Sequence, residues 1–170
     1  MLQSSRALSL IMSLCLLAFS SPKLLAQAKL SQTEAILRAT QVSEVRYGLT
    51  MDLTRGDKEF QGEVVIDFNW KASSEPLRID FNRGEIKTIL LNGQSVKFAY
   101  NMIAATIKPE LLKVGANKMT IAFKHLYSKD GNGLYRFVDP EDKRVYLYSN
   151  FEPYDANQMF PSFDQPDLKA

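Results

Sequence analysis

Apolar and polar side chains alternate along residues 60–70, and most of the residues at odd positions are polar. The even positions carry apolar side chains or glycine: Phe60, Gly62, Val64, Ile66, Phe68 and Trp70. Successive side chains of a β-strand point to opposite faces of a sheet, so this period of two predicts a strand with one buried face and one solvent-exposed face. It is the clearest strand in the sequence.

Shorter alternating or apolar runs follow the same pattern elsewhere. They predict further strands over residues 42–54, 77–82, 86–91, 96–100, 104–107, 119–127 and 145–149, and a helical turn over residues 109–113. The dipeptide Asn92-Gly93 tolerates positive φ at both positions and suits a tight hairpin turn. About eight short strands with turns every 8 to 12 residues predict an all-β fold, an antiparallel β-sandwich or saddle-like sheet. Residues 42–170 contain no linker and are predicted to form one domain.

Residues 1–28 have the three parts of a secretory signal peptide. Arg6 supplies the positive charge, residues 7–19 form an uncharged apolar run, and Ala26-Gln27-Ala28 gives a small-x-small cleavage pattern. A membrane anchor is the alternative, but a spanning helix needs about 20 apolar residues. We therefore predict cleavage after Ala28 and export to the periplasm or the extracellular space, with membrane association only if the signal is retained.

Residues 29–41 are predicted to form a short helical lead-in. Ser31 and Glu34 have the spacing of a capping box, in which a Ser hydroxyl and a Glu carboxylate satisfy free backbone amides. The apolar residues Ala35, Ile36 and Leu37 follow. A loosely held tail is the alternative.

Charge and cysteine content change when the predicted signal is removed. The whole chain has 21 basic and 19 acidic residues, and the signal holds two of the basic ones, Arg6 and Lys23, and no acid. The mature chain is then neutral by formal count, which gives no argument for binding nucleic acid or an anionic membrane. Cys15, the only cysteine, also leaves, so the mature chain has no disulfide and depends on its core.

The sequence offers few residues for catalysis or metal binding. His125 is the only histidine, there is no His-Glu-x-x-His motif, and no cysteine remains as a nucleophile. A lone His on a predicted strand face is more often structural than a ligand. Residues 128–133 partly match a calcium loop, but Ser128 replaces the first Asp and the flanks read as strands, so a Gly/Asn-rich turn is the better account. Carboxylates are then the only groups left for acid-base chemistry, as in a carboxylate-only hydrolase, but no spacing in the sequence marks a pair of them. We assign no metal ligand and no catalytic residue to this chain.

The C-terminal segment, residues 146–170, can be interpreted from its residues alone. A strand ends near Asn150, Phe151-Glu152-Pro153 leaves the sheet, Asp155 caps a short turn at 156–159, and Pro161 ends that turn. On this interpretation the segment is a loop packed on the sandwich, and Glu152 is a solvated carboxylate.

The same segment resembles the signature of the zinc aminopeptidase family that includes aminopeptidase N, T-Q-F-E-P-x-D-A-R-x-x-F-P-C-F-D-E-P. The matching residues are Phe151, Glu152, Pro153, Asp155, Ala156, Phe160, Pro161, Phe163, Asp164 and Pro166. Residues 133–136 (Gly-Leu-Tyr-Arg) resemble the family's G-L-Y-R element, and residues 47–70 resemble its opening strands. Three positions depart from the signature: Ser162 replaces the usual Cys, Gln165 replaces the usual Glu, and Asn157-Gln158 stands where Arg is common. The resemblance therefore does not predict the packing and the charge contacts at these positions.

The resemblance implies that the chain is the family's N-terminal β domain and a fragment of a longer protein. The family's catalytic domain, with its Gly-x-Met-Glu-Asn motif and zinc-binding His-Glu-x-x-His helix, is the implied partner, and neither motif occurs here. Zinc is thus implied for the full-length enzyme only. Glu152 is the one site residue carried over, as the group that contacts the α-amine of a peptide N-terminus. The chain alone is expected to be inactive, and a secreted, non-catalytic β-sandwich binding module is the alternative function.

Overall fold

The computed structural model describes residues 30–168, so the predicted signal peptide lies outside the described part of the chain. The described residues confirm the all-β class, and every strand pairing in the sheets is antiparallel. A helix, α1 (Gln32–Gln41), comes first. The strands are β1 (Val42–Asp52), β2 (Glu59–Trp70), β3 (Leu77–Asp80), β4 (Glu85–Leu91), β5 (Gln94–Ser95), β6 (Ala99–Tyr100), β7 (Ala104–Ile107), β8 (Gly115–Leu126), β9 (Gly133–Val138) and β10 (Val145–Asn150). Within residues 30–168, no helix has the length and apolar character needed to cross a bilayer.

The strands form three sheets. The largest has the order β1-β2-β8-β4-β5, a smaller one has the order β3-β7-β6, and β9 and β10 pair only with each other. We call this last pair the ribbon. Both larger sheets contribute to one hydrophobic core, for example Ile66 and Ile121 from the large sheet and Ile79 and Ile107 from the small one. The predicted layering of two antiparallel sheets about one core is confirmed.

Strand β2 lies between β1 and β8 in the large sheet. Phe60, Val64, Ile66, Phe68 and Trp70 are all buried, which confirms the prediction from the period of two. The strand pairs with β8 along its whole length. The site described below lies at one margin of this sheet, next to the edge strand β1.

Two strand predictions need correction. Residues 96–100 are not one strand: only Ala99–Tyr100 is a strand, β6 of the small sheet, and the preceding strand β5 ends before this range and pairs with β4 in the large sheet. The chain crosses between sheets here while Val96 and Phe98 still pack against the core, which preserves the apolar alternation without continuous pairing. Strand β9 was predicted only as the flank of the turn at residues 128–133 and was given no bounds, because apolar side chains fall on both of its faces and no alternation marks it.

Helix α1 is docked on the sheets, so the alternative of a loose tail is wrong. The predicted capping box is present: the Ser31 hydroxyl accepts from the Glu34 amide at 3.2 Å, and the Glu34 carboxylate accepts from the Ser31 amide at 2.9 Å. Arg38 is 2% exposed and forms an ion pair of 2.5 Å with Asp80, which is 1% exposed. Arg78 pairs with the other oxygen of Asp80 at 2.8 Å. A buried carboxylate between two guanidinium groups therefore joins the helix to β3.

Two short 3-10 helices complete the fold, at Pro109–Leu111 and Ala156–Gln158. The first confirms the predicted helical turn. The second confirms the turn after Asp155, but the Asp155 side chain does not cap it. Instead the Asp155 carboxylate accepts a hydrogen bond from the Gln158 side chain. The turn is thus closed by a side-chain pair three residues apart.

Candidate functional site

Glu152 lies in the turn that follows β10, and its peptide bond to Pro153 is cis. Its backbone amide donates to the Asn150 side chain at 3.3 Å. The carboxylate is exposed and has no hydrogen-bond or ion-pair partner among residues 30–168. Beside it opens a cavity of about 580 Å³, which we call the Glu152 cavity. A charged group without a partner at the rim of a cavity is available to a ligand.

Aromatic side chains form the wall of the Glu152 cavity and hold its rim. Phe151 packs edge-to-face on Phe160, with ring centroids 6.2 Å apart, and Phe160 packs edge-to-face on Tyr47 at 6.0 Å. Such pairs stabilise a packing geometry beyond the area that they bury. Because Phe151 precedes Glu152 in the chain, these contacts connect the turn that carries the carboxylate to strand β1.

Tyr47 also ties the C-terminal segment to the large sheet. Its hydroxyl oxygen accepts a hydrogen bond from the backbone amide of Phe163 at 2.8 Å. Burial raises the pKa of Tyr47 to about 12, so the hydroxyl stays neutral throughout the ordinary pH range. The ring of Phe163 in turn packs edge-to-face on Phe68 of β2, with centroids 5.5 Å apart.

The Glu152 cavity is acidic. Among the described residues that line it are two carboxylates, Glu152 and Asp164, and no Lys, Arg or His. Asp164 accepts hydrogen bonds from the backbone amide and the side-chain amide of Asn157, at 2.8 and 2.7 Å. Burial raises the pKa of the Asp164 carboxyl from its usual value. A concave, aromatic-walled surface that carries negative charge favours a ligand with a cationic head and an apolar body.

Three of the residues that depart from the family signature are buried: Asn157, Ser162 and Gln165. Asn157 holds Asp164, and its carbonyl accepts from the Asn82 amide at 2.8 Å. Gln165 is buried, accepts from Arg38 Nε at 2.8 Å and donates to the Ala35 carbonyl at 2.9 Å. Ser162 is buried with its backbone paired to Asp80, and its hydroxyl has no partner among the described residues. The substituted residues are packed, hydrogen-bonded parts of the segment.

Sequence reasoning named Glu152 as the candidate residue and Asp164 as part of the matching motif, but it did not name the residues that hold the segment. Tyr47 and Phe163 are 116 positions apart, and Arg38 and Gln165 are 127 apart. No local motif links such pairs. The one signal in the sequence was Tyr47 itself, an aromatic residue on the same predicted strand face as the apolar residues at positions 49, 51 and 53.

The two other features considered in the sequence, His125 and the turn at residues 128–133, make contacts typical of structural elements. The two ring nitrogens of His125 lie 2.7 Å from the carbonyl oxygens of Asn82 and Leu126, and its ring packs near Phe60 and Phe81. In the turn at residues 128–133, the Asp130 carboxylate accepts from the Ser128 hydroxyl at 2.7 Å. That turn joins β8 to β9, in agreement with the predicted strand flanks.

Residues 30–168 do not supply a zinc site. Within them, no three His, Cys, Asp or Glu side chains lie where they could share a metal ion. The zinc implied by the family resemblance therefore has no set of ligands among residues 30–168.

Comparison with known proteins shows where the chain belongs. Residues 43–170 match the Peptidase M1 N-terminal domain. The chain is 33% identical over 143 residues to an aminopeptidase N of Streptomyces lividans, covering 83% of this chain and 17% of that protein. It is 28% identical over 150 residues to aminopeptidase 2 of Candida albicans, covering 84% of this chain and 16% of that protein. The chain thus spans about one sixth of the length of these relatives.

Solved structures show the same fold. Native yeast LTA4 hydrolase superposes with a TM-score of 0.65 at 15% identity, over 77% of this chain and 22% of that one. A second structure of the enzyme, from Saccharomyces cerevisiae, gives 0.65 at 16% identity over 89% of this chain and 24% of that one. On the match of residues 43–170, the chain belongs to the M1 peptidase family and carries the N-terminal domain of that family.

Proposed function

We propose that the chain is the N-terminal part of an exported zinc aminopeptidase that removes N-terminal residues from peptides. In this proposal residues 1–28 are a signal peptide, residues 29–41 a lead-in and residues 42–170 the β domain. Glu152 binds the α-amine of the substrate. The acidic, aromatic-walled Glu152 cavity supports the proposal. Zinc and the catalytic domain belong to the remainder of the longer protein.

Glu152 would select peptides by the charge of their N-terminus. A carboxylate paired with an ammonium group in a partly desolvated site forms a strong, charge-assisted hydrogen bond. A blocked N-terminus has no positive charge and would leave the carboxylate unpaired, which a polar site discriminates against strongly. Asp164 adds negative charge to the same cavity, held in place by Asn157.

The ribbon supplies a surface for the catalytic domain. Every residue of β10 is exposed, on both faces. One face of the ribbon carries four aromatic side chains, because Tyr146 is paired with Phe137 and Tyr148 with Tyr135 across the two strands. The ring centroids of Tyr135 and Tyr148 lie 4.8 Å apart. A contiguous exposed apolar surface of this kind marks an interaction site. β10 leads directly into Glu152, so a domain docked on the ribbon would meet the carboxylate.

The test uses the protein encoded by the complete gene. Glu152→Gln should raise KM for aminoacyl substrates by about tenfold or more, since a hydrogen bond to a charged group is lost. Glu75→Gln, which removes the same charge from an exposed position between β2 and β3, is the matched control and should change KM less than twofold. Equal kinetics for Glu152→Gln and the unmodified enzyme would refute the role of Glu152.

The chain on its own is expected to be inactive. Purified protein ending at Ala170 should release no product from aminoacyl-p-nitroanilides and should hold no stoichiometric zinc in elemental analysis. Activity that a chelator abolishes would contradict this part of the proposal.

The exposed aromatic face of the ribbon also favours a second candidate, a secreted binding module without catalysis. Tyr and Phe side chains on such a face can contact a peptide or a glycan. The nucleotide sequence beyond Ala170 separates the two candidates. A stop codon there, with no Gly-x-Met-Glu-Asn or His-Glu-x-x-His motif downstream, would favour the module.

A further inference from the structure

A second cavity, of about 400 Å³, lies where the β8–β9 turn meets the β1–β2 turn. Three cationic side chains, Lys58, Lys129 and Arg136, line it, together with the single carboxylate of Asp57. The net formal charge of the lining residues is therefore +2. We call it the cationic cavity. It uses none of the residues that line the Glu152 cavity.

The three cations have no counter-ion within the described chain. Among residues 30–168, the ion pairs involve other Lys and Arg side chains, and no side-chain hydrogen bond engages Lys58, Lys129 or Arg136. Asp57 lines the cavity but lies beyond ion-pair distance of all three. Like charges repel, so their convergence without a partner costs stability that a bound anion would recover.

The backbone fixes the positions of these cations. The Tyr127 amide donates to the Lys58 carbonyl at 3.0 Å, and the Ser128 amide donates to the Leu134 carbonyl at 2.8 Å. These bonds join the segments that carry Lys58, Lys129 and Arg136. The backbone segments that carry the three cations are thus held next to each other, so that all three side chains line one cavity.

Arg136 is the least exposed of the three. Its guanidinium lies over the ring of Tyr127, 6.0 Å from the centroid, and its side chain is half-buried. A guanidinium held on a ring keeps its N–H fork available for the paired oxygens of a carboxylate or a phosphate. Tyr127, which is 6% exposed, and the exposed side chain of Leu126 add an apolar wall.

We propose that the cationic cavity binds a small organic polyanion that carries two or more carboxylate or phosphate groups. One group pairs with Arg136 through two hydrogen bonds, and another lies between Lys58 and Lys129. The volume of the cavity is in the range of small-molecule sites.

The experiment titrates the ¹⁵N-labelled full chain with citrate and, separately, with pyrophosphate, at constant ionic strength set with sodium chloride. The amide signals of Lys58, Tyr127 and Lys129 should shift and saturate. Saturation by citrate alone identifies carboxylates as the preferred groups, and saturation by pyrophosphate alone identifies phosphates. If neither anion produces a saturable shift, or if chloride alone reproduces the shifts, the proposal is wrong.

Three variants separate a built site from general charge attraction. Arg136→Gln and the double variant Lys58→Gln/Lys129→Gln should each weaken binding by at least about tenfold. Lys71→Gln/Lys97→Gln removes the same two charges from exposed positions elsewhere and should change affinity less than twofold. Equal weakening in this control would overturn the proposal. The Lys58→Gln/Lys129→Gln result decides the matter even if Arg136→Gln unfolds, since Lys58 and Lys129 are exposed.

Discussion

At the residue scale, the buried carboxylate of Asp80 is the most consequential polar group of the fold. It pairs with Arg38 from α1 and Arg78 from its own strand. A buried ion pair is weak evidence for net stability, but removing one partner leaves a charge that is poorly compensated. The cost of the network thus becomes visible only when it is broken.

Replacing Arg38 with Ala should therefore destabilise the chain strongly. We expect Arg38→Ala to lower the free energy of unfolding by about 3 kcal/mol, the lower end for a broken buried pair, since Asp80 keeps Arg78. Urea unfolding at pH 7 measures the change. Lys118→Gln, which breaks the exposed pair with Asp67, should cost at most about 1 kcal/mol. Similar losses in the two variants would mean that burial does not matter to this pair.

Asp52 offers a pH-dependent prediction at the end of β1. Hydrogen bonds from Thr54, from its hydroxyl at 2.6 Å and its amide at 3.1 Å, and the guanidinium of Arg55 lower the pKa of Asp52 to about 2. Because the folded pKa lies below the ordinary value, the contribution of Asp52 to stability is present above the unfolded pKa. It is lost as pH falls through about 2.

Carboxyl ¹³C chemical shifts measure this titration directly. The Asp52 signal should titrate with a pKa of about 2 in the unmodified chain. Thr54→Val, which removes the hydroxyl donor, should move that pKa toward the ordinary value of 3.8. An Asp52 signal that already titrates near 3.8 in the unmodified chain would refute the assignment.

At the element scale, Gly62 sets how closely β1 approaches β2. A Cβ at position 62 would lie 2.7 Å from the carbonyl oxygen of Thr50 and 2.9 Å from the ring of Phe123. Gly62→Ala should therefore lower the free energy of unfolding by about 1–3 kcal/mol, as overpacking does.

Gly48, on the neighbouring strand β1, is the matched control. The nearest atom to a Cβ at that position is 3.9 Å away, in Val65, so Gly48→Ala should be neutral or slightly stabilising. Urea midpoints of the two variants test the pair. Equal destabilisation of the two variants would show that the cost at position 62 does not come from the contact with Thr50.

Strands with one solvent-exposed face and one buried face were the easiest to predict from the sequence. β2 alternates because one of its faces is buried in the core. β9 and β10 carry apolar residues on both faces, so period-two reasoning gave β9 no bounds and found β10 without its partner. The strand predicted at residues 96–100 missed β5 and extended β6 too far, because side-chain alternation does not report where a backbone is paired or which sheet it joins.

The same division applies to the candidate site. Glu152 was found because its neighbours in the chain form a recognisable motif. The aromatic contacts of Tyr47 and the ion pair of Arg38 depend on how the chain returns to itself, and local sequence carries no record of that. The cationic cavity escaped prediction for the same reason, since Lys58 and Arg136 come from separate turns and strands.

At the scale of the whole molecule, the parts of the fold should differ in stability. β2 and β8 pair along twelve residues each inside a five-stranded sheet, whereas the ribbon has two strands and an exposed β10. An isolated two-stranded hairpin is marginally stable in water. The ribbon should therefore open without unfolding of the large sheet.

Amide hydrogen exchange of the full chain tests this difference. Bonded amides of β10 should exchange at least about 100-fold faster than those of β2, since local opening requires less free energy than global unfolding. Exchange of both strands at one common rate would show that the ribbon and the sheet form a single cooperative unit.

The contacts between α1 and the C-terminal segment bear on when the fold can form. Gln165 accepts from Arg38 and donates to the Ala35 carbonyl, which joins residues 127 and 130 positions apart. A ribosome adds roughly 5–20 residues per second. The helix is among the first described residues to be synthesised, yet its partner is among the last. The two hydrogen bonds between Gln165 and α1 can therefore form only when nearly the whole domain has been translated, whereas the ion pair between Arg38 and Asp80, 42 positions apart, can hold the helix before that.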